Sequence, residues 1–114
     1  MIRAGIGQMP AKIRKILRKL KKELLRIYGE NVESVILYGS RARGDARDDS
    51  DIDILVVLKK DFNYSEMLSL SSHLVASLSL ENDVVISRAF VTKSQFETKQ
   101  VPFLMNVRRE GVPV

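Results

Sequence analysis

Glu33-Ser34-Val35-Ile36-Leu37-Tyr38-Gly39-Ser40-Arg41-Ala42-Arg43-Gly44-Asp45-Ala46-Arg47-Asp48-Asp49-Ser50-Asp51-Ile52-Asp53-Ile54-Leu55-Val56-Val57-Leu58 is the stretch on which the reading of this chain turns. It opens with a short apolar run, 33–38, that stops at a glycine and reads as a buried strand. Residues 41–50 are polar and hold no core, so they form a loop, with room for one helical turn at its start. From Asp51 the chain alternates, and from Ile54 to Leu58 it is wholly apolar. That is the pattern of a central strand whose first residues emerge into a cleft.

Upstream, Pro10 can open a helix at its first turn. Ile13, Ile16, Leu17, Leu20, Leu24 and Ile27 then recur at helical spacing, and Gly29 is a stop. Residues 10–28 thus read as an amphipathic helix with a basic outer face. Downstream, Met67, Leu70, Leu74 and Leu78 keep helical spacing, although Ser77-Leu78-Ser79-Leu80 alternates like a strand. Length favours a helix over 64–80. Asp83-Val84-Val85-Ile86 begins a third strand reaching toward Val91, Thr92 or Ser94 caps a short helix, and a last helix over 102–109 leads to Gly111. The order helix, strand, loop, strand, helix, strand, helix predicts an α/β or α+β fold with a small sheet covered by helices. The pattern leaves the strand directions open.

A length of 114 residues fits one domain, and a hydrophobic content of 45% suffices for one core and argues against disorder. The absence of cysteine excludes a disulfide framework, a thiolate zinc site and a cysteine nucleophile, and it suits a cytoplasmic protein. No apolar run approaches the roughly 20 residues that span a bilayer, and no signal-peptide core follows the basic N-terminus. The net charge of +5 is concentrated in residues 1–31, where Arg3, Lys12, Arg14, Lys15, Arg18, Lys19, Lys21, Lys22 and Arg26 face only Glu23 and Glu30. Such a segment is either a solvated helix face or a patch for nucleic acid or an acidic partner. No aromatic residues interleave with these charges as base-stacking platforms would.

Asp51 and Asp53 lie two apart on the second strand and so share a face, with Cα atoms roughly 6–7 Å apart. Two like charges at the end of a buried strand repel each other and resist desolvation. A divalent cation reverses that cost. Magnesium prefers hard oxygen ligands, a few carboxylates plus substrate phosphates, and paired carboxylates can hold two ions about 3.5–4 Å apart. An isolated Asp-x-Asp ends many loops; its company gives this one meaning. Gly39 lets backbone approach a phosphate, and Ser40 can donate to phosphate oxygens. Arg41 and Arg43 are suited to phosphate contacts, with one of them free to pair instead with Asp45, Asp48 or Asp49. The lone His73 has no partner in local spacing, and Tyr38 reads as a packing residue.

Gly39-Ser40, ten intervening residues and Asp51-Ile52-Asp53 resemble the signature of the DNA polymerase beta nucleotidyltransferase superfamily. The longer string from Gly39 to Asp45 and from Ser50 to Ile54, with the tail Asn106-Val107-Arg108-Arg109-Glu110-Gly111-Val112, is similar to its minimal nucleotidyltransferase members. The resemblance implies a polymerase beta-like fold, a small mixed β-sheet with helices packed on it. It also implies one domain over 1–114, with a basic helix in 1–31 and a catalytic core over 33–112. By the same resemblance Asp51 and Asp53 are the metal carboxylates and Gly39 and Ser40 bind phosphate. A third carboxylate, often the catalytic base, falls on Asp83, with Glu81 as the alternative.

The implied reaction is magnesium-dependent attack by an acceptor oxygen on the α-phosphate of a nucleoside triphosphate, ATP foremost, with release of pyrophosphate. Two Mg2+ ions are expected. Minimal members of this family are often paired with a small helical HEPN protein, which they nucleotidylate as the antitoxin of a toxin–antitoxin pair. A catalytic domain this small suits a partner that supplies specificity. Three other functions compete with that one: a binding module that neutralises a partner by docking, a nucleic-acid-modifying enzyme anchored by its basic helix, and an aminoglycoside-modifying enzyme. The acceptor, the choice of nucleotide and any homo-oligomer are not fixed by the sequence.

Overall fold

The computed structural model describes residues 5–114; Arg3, counted in the basic segment, lies outside them. Its elements are α1 (Ala11–Tyr28), β1 (Val32–Tyr38), α2 (Ser40–Arg43), β2 (Ile52–Leu58), α3 (Tyr64–Asn82), β3 (Ile86–Thr92), α4 (Lys93–Thr98), α5 (Pro102–Glu110) and β4 (Val112–Pro113), with short 3-10 turns at Ile6–Gln8 and Gly29–Asn31.

β2 is the axis of the fold. Every residue of Ile52–Leu58 except Asp53 is buried, which requires cover on both faces and neighbours on both sides. The sheet order β3-β2-β1-β4 supplies the neighbours. β1 runs antiparallel to β2, and β3 runs parallel to it. A parallel neighbour demands a crossover, and α3 provides it. The sheet is therefore mixed, as the resemblance implies.

Alternation along β2 sorts its side chains into two cores. Ile52, Ile54, Val56 and Leu58 join Val35 and Leu37 of β1 against α1 and α3. Leu55 and Val57 face the other way and pack on Leu104 and Val107 of α5. By the same alternation Asp53 belongs to the α5 face.

α1 buries Ile13, Ile16, Leu17, Leu20 and Leu24 of the predicted stripe, leaves Ile27 partly exposed, and ends at Gly29 with φ 62°. Its apolar stripe makes the N-terminal segment part of the main core from Ile13 onward. α3 starts at an Asn63 cap whose side chain accepts from the Glu66 amide at 3.0 Å. The strand-like Ser77-Leu78-Ser79-Leu80 is helical: Leu78 is 2% exposed and Leu80 is 84% exposed, whereas a strand would place both on one face. Thr92 caps α4, accepting from the Gln95 amide while the Gln95 side chain accepts from the Thr92 amide.

Apart from the start of β2 at Ile52, which leaves Asp51 just ahead of the strand on which it was expected, two features differ from the sequence expectation. The third strand begins at Ile86 rather than Asp83. Asp83 ends α3 in the left-handed region, φ 50°, and the amides of Asp83 and Val84 both donate to the Ser79 carbonyl. Backbone turned that way closes a helix and cannot start a strand. The second is β4, absent from the reading of the sequence, which pairs with Ile36 and Leu37. Gly111 makes that return possible, because a Cβ there would lie 2.5 Å from the Val107 carbonyl oxygen and 2.6 Å from Ile36 Cγ2. Among the described residues no helix is long and apolar enough to cross a membrane.

Candidate active site

Asp53 stands opposite Tyr38 on one side and Ser87 on the other. Immediately after Tyr38 the chain turns through Gly39 at φ 77°, and a Cβ on Gly39 would lie 2.6 Å from Asp53 Oδ2. Glycine is required there twice over, for the backbone angle and for the space. The carboxylate of Asp53 and the start of the Gly39-Ser40 turn are thus neighbours through the fold. α2 follows as a single turn, with the Ala42 and Arg43 amides donating to the Gly39 carbonyl at 3.1 Å each and the Gly44 and Asp45 amides donating to that of Ser40.

The loop back to β2 is held by Arg41. Its guanidinium donates to the Ser50 carbonyl at 2.8 and 3.1 Å, and more weakly to the carbonyls of Arg47 and Asp48. The Ser50 hydroxyl in turn accepts from the Arg47 amide at 2.8 Å. This loop delivers Asp51, exposed, to the residue before β2. Arg43 pairs with Asp45 at 3.3 Å and with Glu110 at 3.5 Å. Of the two arginines considered for phosphate, Arg43 makes the loop ion pair and Arg41 binds loop carbonyls.

Burial, and then the charge of Asp51, push the Asp53 carboxyl above its ordinary pKa. Tyr38 is raised as well, first by burial, then by Asp53 and Tyr64. The pair is a local excess of negative charge made of hard oxygen donors, and it fits a divalent cation such as magnesium.

Asp83 lies exposed at the end of α3 and lines a cavity of about 340 Å³ with Pro10, Lys12, Ile13, Arg41 and Asp48. On β3 the residue level with Asp53 is Ser87. Glu81, the alternative, pairs with Lys19 at 3.9 Å in solvent. Among the described residues no group of three acidic, histidine or cysteine side chains is gathered as a metal site. His73 lies in a groove between α1 and α3, with Lys19, Arg26 and Glu81 among its neighbours.

Sequence reading missed Phe103. Its ring meets Tyr38 edge to face, centroids 5.3 Å apart at 84°, which confirms Tyr38 as a packing residue. Together with Asn106, Val107 and Glu110 it encloses a cavity of about 160 Å³ that opens on Gly39. The tail string that contains Asn106 and Glu110 was the one signal pointing here, and it carried no hint of the aromatic residue ahead of it.

With the geometry established, comparison with known proteins places the chain. The family described as "Polymerase beta, Nucleotidyltransferase" matches residues 12–102. A candidate protein adenylyltransferase of Methanocaldococcus jannaschii is 31% identical over 99 residues, which cover 87% of this chain and 95% of that one. The protein adenylyltransferase MntA of Thermococcus cleftensis is 38% identical over 74 residues, covering 65% of this chain and 73% of its own. A crystal structure of the toxin–antitoxin MntA–HpeT contains a chain of the same fold, with a TM-score of 0.59 at 20% identity over 85% of this chain and 70% of that one. The chain belongs to the polymerase beta nucleotidyltransferase family, among its minimal members related to the protein adenylyltransferases.

Proposed function

We propose that this nucleotidyltransferase moves AMP from ATP to a hydroxyl of a partner protein in a magnesium-dependent reaction, and that the partner is a HEPN-type toxin it thereby silences. The observation that carries the chemistry is the Asp53 carboxylate held beside Gly39, with Asp51 adding its charge. The adenylyl specificity and the toxin partner are suggested by the names of the relatives, and a cytoplasmic setting suits such a partner.

In this reading Asp51 and Asp53 hold the magnesium, as one ion or two, and Gly39 with Ser40 receives the triphosphate. Magnesium, when bound, neutralises triphosphate charge and favours the ionised acceptor hydroxyl. The acceptor oxygen forms a bond to the α-phosphorus as the bond to the bridging oxygen of the β-phosphate breaks. Pyrophosphate leaves, and the acceptor proton passes to solvent or to a carboxylate. The protein's share is positioning: Gly39 sets the turn against Asp53, and Arg41 fixes the loop that presents Asp51. Asp83→Asn, which removes the third carboxylate that the resemblance assigns, should slow transfer if that carboxylate takes part in the reaction.

Purified protein with labelled ATP, magnesium and a HEPN partner from its own genome should label that partner, and Asp53→Ala should abolish the label. Equal labelling by both would end the catalytic reading. A second reading is favoured by the lack, among the described residues, of a third carboxylate gathered with the pair: neutralisation by docking alone. It is upheld if the Asp51→Ala, Asp53→Ala double variant still neutralises the partner in cells.

A further inference from the structure

We propose that the cavity between the end of β1 and α5 is the seat of the nucleotide base, and that it is built for adenine. The inference rests on the nucleotidyltransferase reading and adds to it the residues that would recognise the base. The cavity begins where the phosphate-binding turn begins, since Gly39 lines it, and Gly39 is the residue against which Asp53 is packed. A nucleotide with its phosphates at Gly39-Ser40 and the aspartates therefore has this cavity within reach of its base.

The lining suits a flat heterocycle. Phe103, Asn106, Val107 and Glu110 recur at helical spacing and share one face of α5. Val107 is buried and forms an apolar floor. Phe103 is 43% exposed although its ring already meets Tyr38, so aromatic surface remains uncovered beside the cavity. Base stacking on an aromatic side chain is the common use of such a surface.

Asn106 supplies the selectivity. Its Oδ1 accepts from Arg109 at 2.8 Å, which sets the orientation of the amide; among the described residues its Nδ2 donates to nothing. A carboxamide with one donor and one further acceptor matches the N7 acceptor and N6 amino donor of adenine. Guanine presents two acceptors at the same edge, N7 and O6, and would set one of them against Oδ1. Glu110, which could otherwise attract the guanine N1 and N2 donors, is occupied by Arg43 at 3.5 Å and Arg109 at 3.3 Å.

The test is equilibrium binding by calorimetry on the full chain in magnesium, with ATP, GTP and inorganic tripolyphosphate as separate ligands. Wild type should bind ATP more tightly than tripolyphosphate, by about fivefold or more if one base stacks. Phe103→Ala should erase that advantage and leave tripolyphosphate binding unchanged, while Phe103→Tyr retains it. Asn106→Leu, at an exposed position, should bring ATP and GTP to parity. Phe103→Ala binding ATP as wild type does would overturn the proposal, as would an undiminished preference for ATP in Asn106→Leu. A wild type that binds ATP and tripolyphosphate equally overturns the pocket alone. One that binds neither overturns the nucleotidyltransferase reading with it.

Discussion

One strand, β2, faces two environments. The side chains of Ile52, Ile54, Val56 and Leu58 are sealed beneath α1 and α3, each fully buried. On the other face Leu55 and Val57 are covered by α5, but cover stops before Asp53, which is left half-buried beside Gly39. The first face serves stability along its whole length. The second holds the sheet together at one end and carries charge at the other. Neighbouring positions in sequence thus meet opposite environments, and substitutions at 53 and 54 should separate their effects.

The largest expected effect is at Asp53. Asp53→Ala should lower the rate of nucleotidyl transfer by about 10²–10³-fold, the scale of losing a principal electrostatic contact to the reacting group. Single-turnover kinetics with labelled ATP would measure it, and the fold, read by circular dichroism, should be retained. Ile54→Ala should do the reverse. Removing a fully buried side chain at the centre of the α1 and α3 face should cost roughly 2–5 kcal/mol of unfolding free energy in urea, with activity per folded molecule preserved. If Ile54→Ala costs activity out of proportion to the folded fraction, the two faces are not separable.

Gly39→Ala tests the seam between them. The backbone at φ 77° and ψ −160°, a region essentially confined to glycine, alone costs about 1–3 kcal/mol for a residue with a Cβ, and the new methyl would meet Asp53 Oδ2 at 2.6 Å. The loss should fall on both axes: a modest drop in stability, and a loss of transfer rate of about 10-fold or more as the carboxylate is displaced. A variant that loses only stability would show that the contact between turn and carboxylate is not used in the reaction.

How much of this was legible in the sequence follows the same division. Residues 33–58 announce both strands, the glycine turn and the aspartate pair because each signal is local: alternation, an apolar run, a spacing. α1 is equally plain from its stripe. What escaped depends on distant parts of the chain. The start of β3 was misplaced because Asp83-Val84-Val85-Ile86 is as apolar as a strand, and the left-handed cap falls on an aspartate rather than a glycine. β4 is two residues long and exists only because Gly111 lets the chain return to β1. Phe103 reaches Tyr38 from across the chain, so no spacing could have revealed the contact. The pattern predicted which residues carry charge but left open which arginine grips the loop.

The smallest effect concerns what the site face costs the fold, and Asp53→Asn measures it. Burial and Asp51 raise the Asp53 pKa in the folded protein above its unfolded value. The folded state therefore holds this proton more tightly than the unfolded one. The stabilisation is fully present below the unfolded pKa and is lost as pH rises through the folded pKa. At neutral pH the ionised carboxylate should thus be a burden that asparagine lacks. Because Asp53 keeps contact with solvent, the gain should stay below about 1 kcal/mol, a rise of about 4–8 °C at most in Tm. It should shrink toward zero as pH falls through the window between the two pKa values. Magnesium should raise the Tm of the wild type at neutral pH and leave that of Asp53→Asn nearly unmoved. An Asp53→Asn variant less stable than wild type at neutral pH without metal would mean that the carboxylate is already satisfied within the protein, and that the site face supports folding just as the face beneath α1 does.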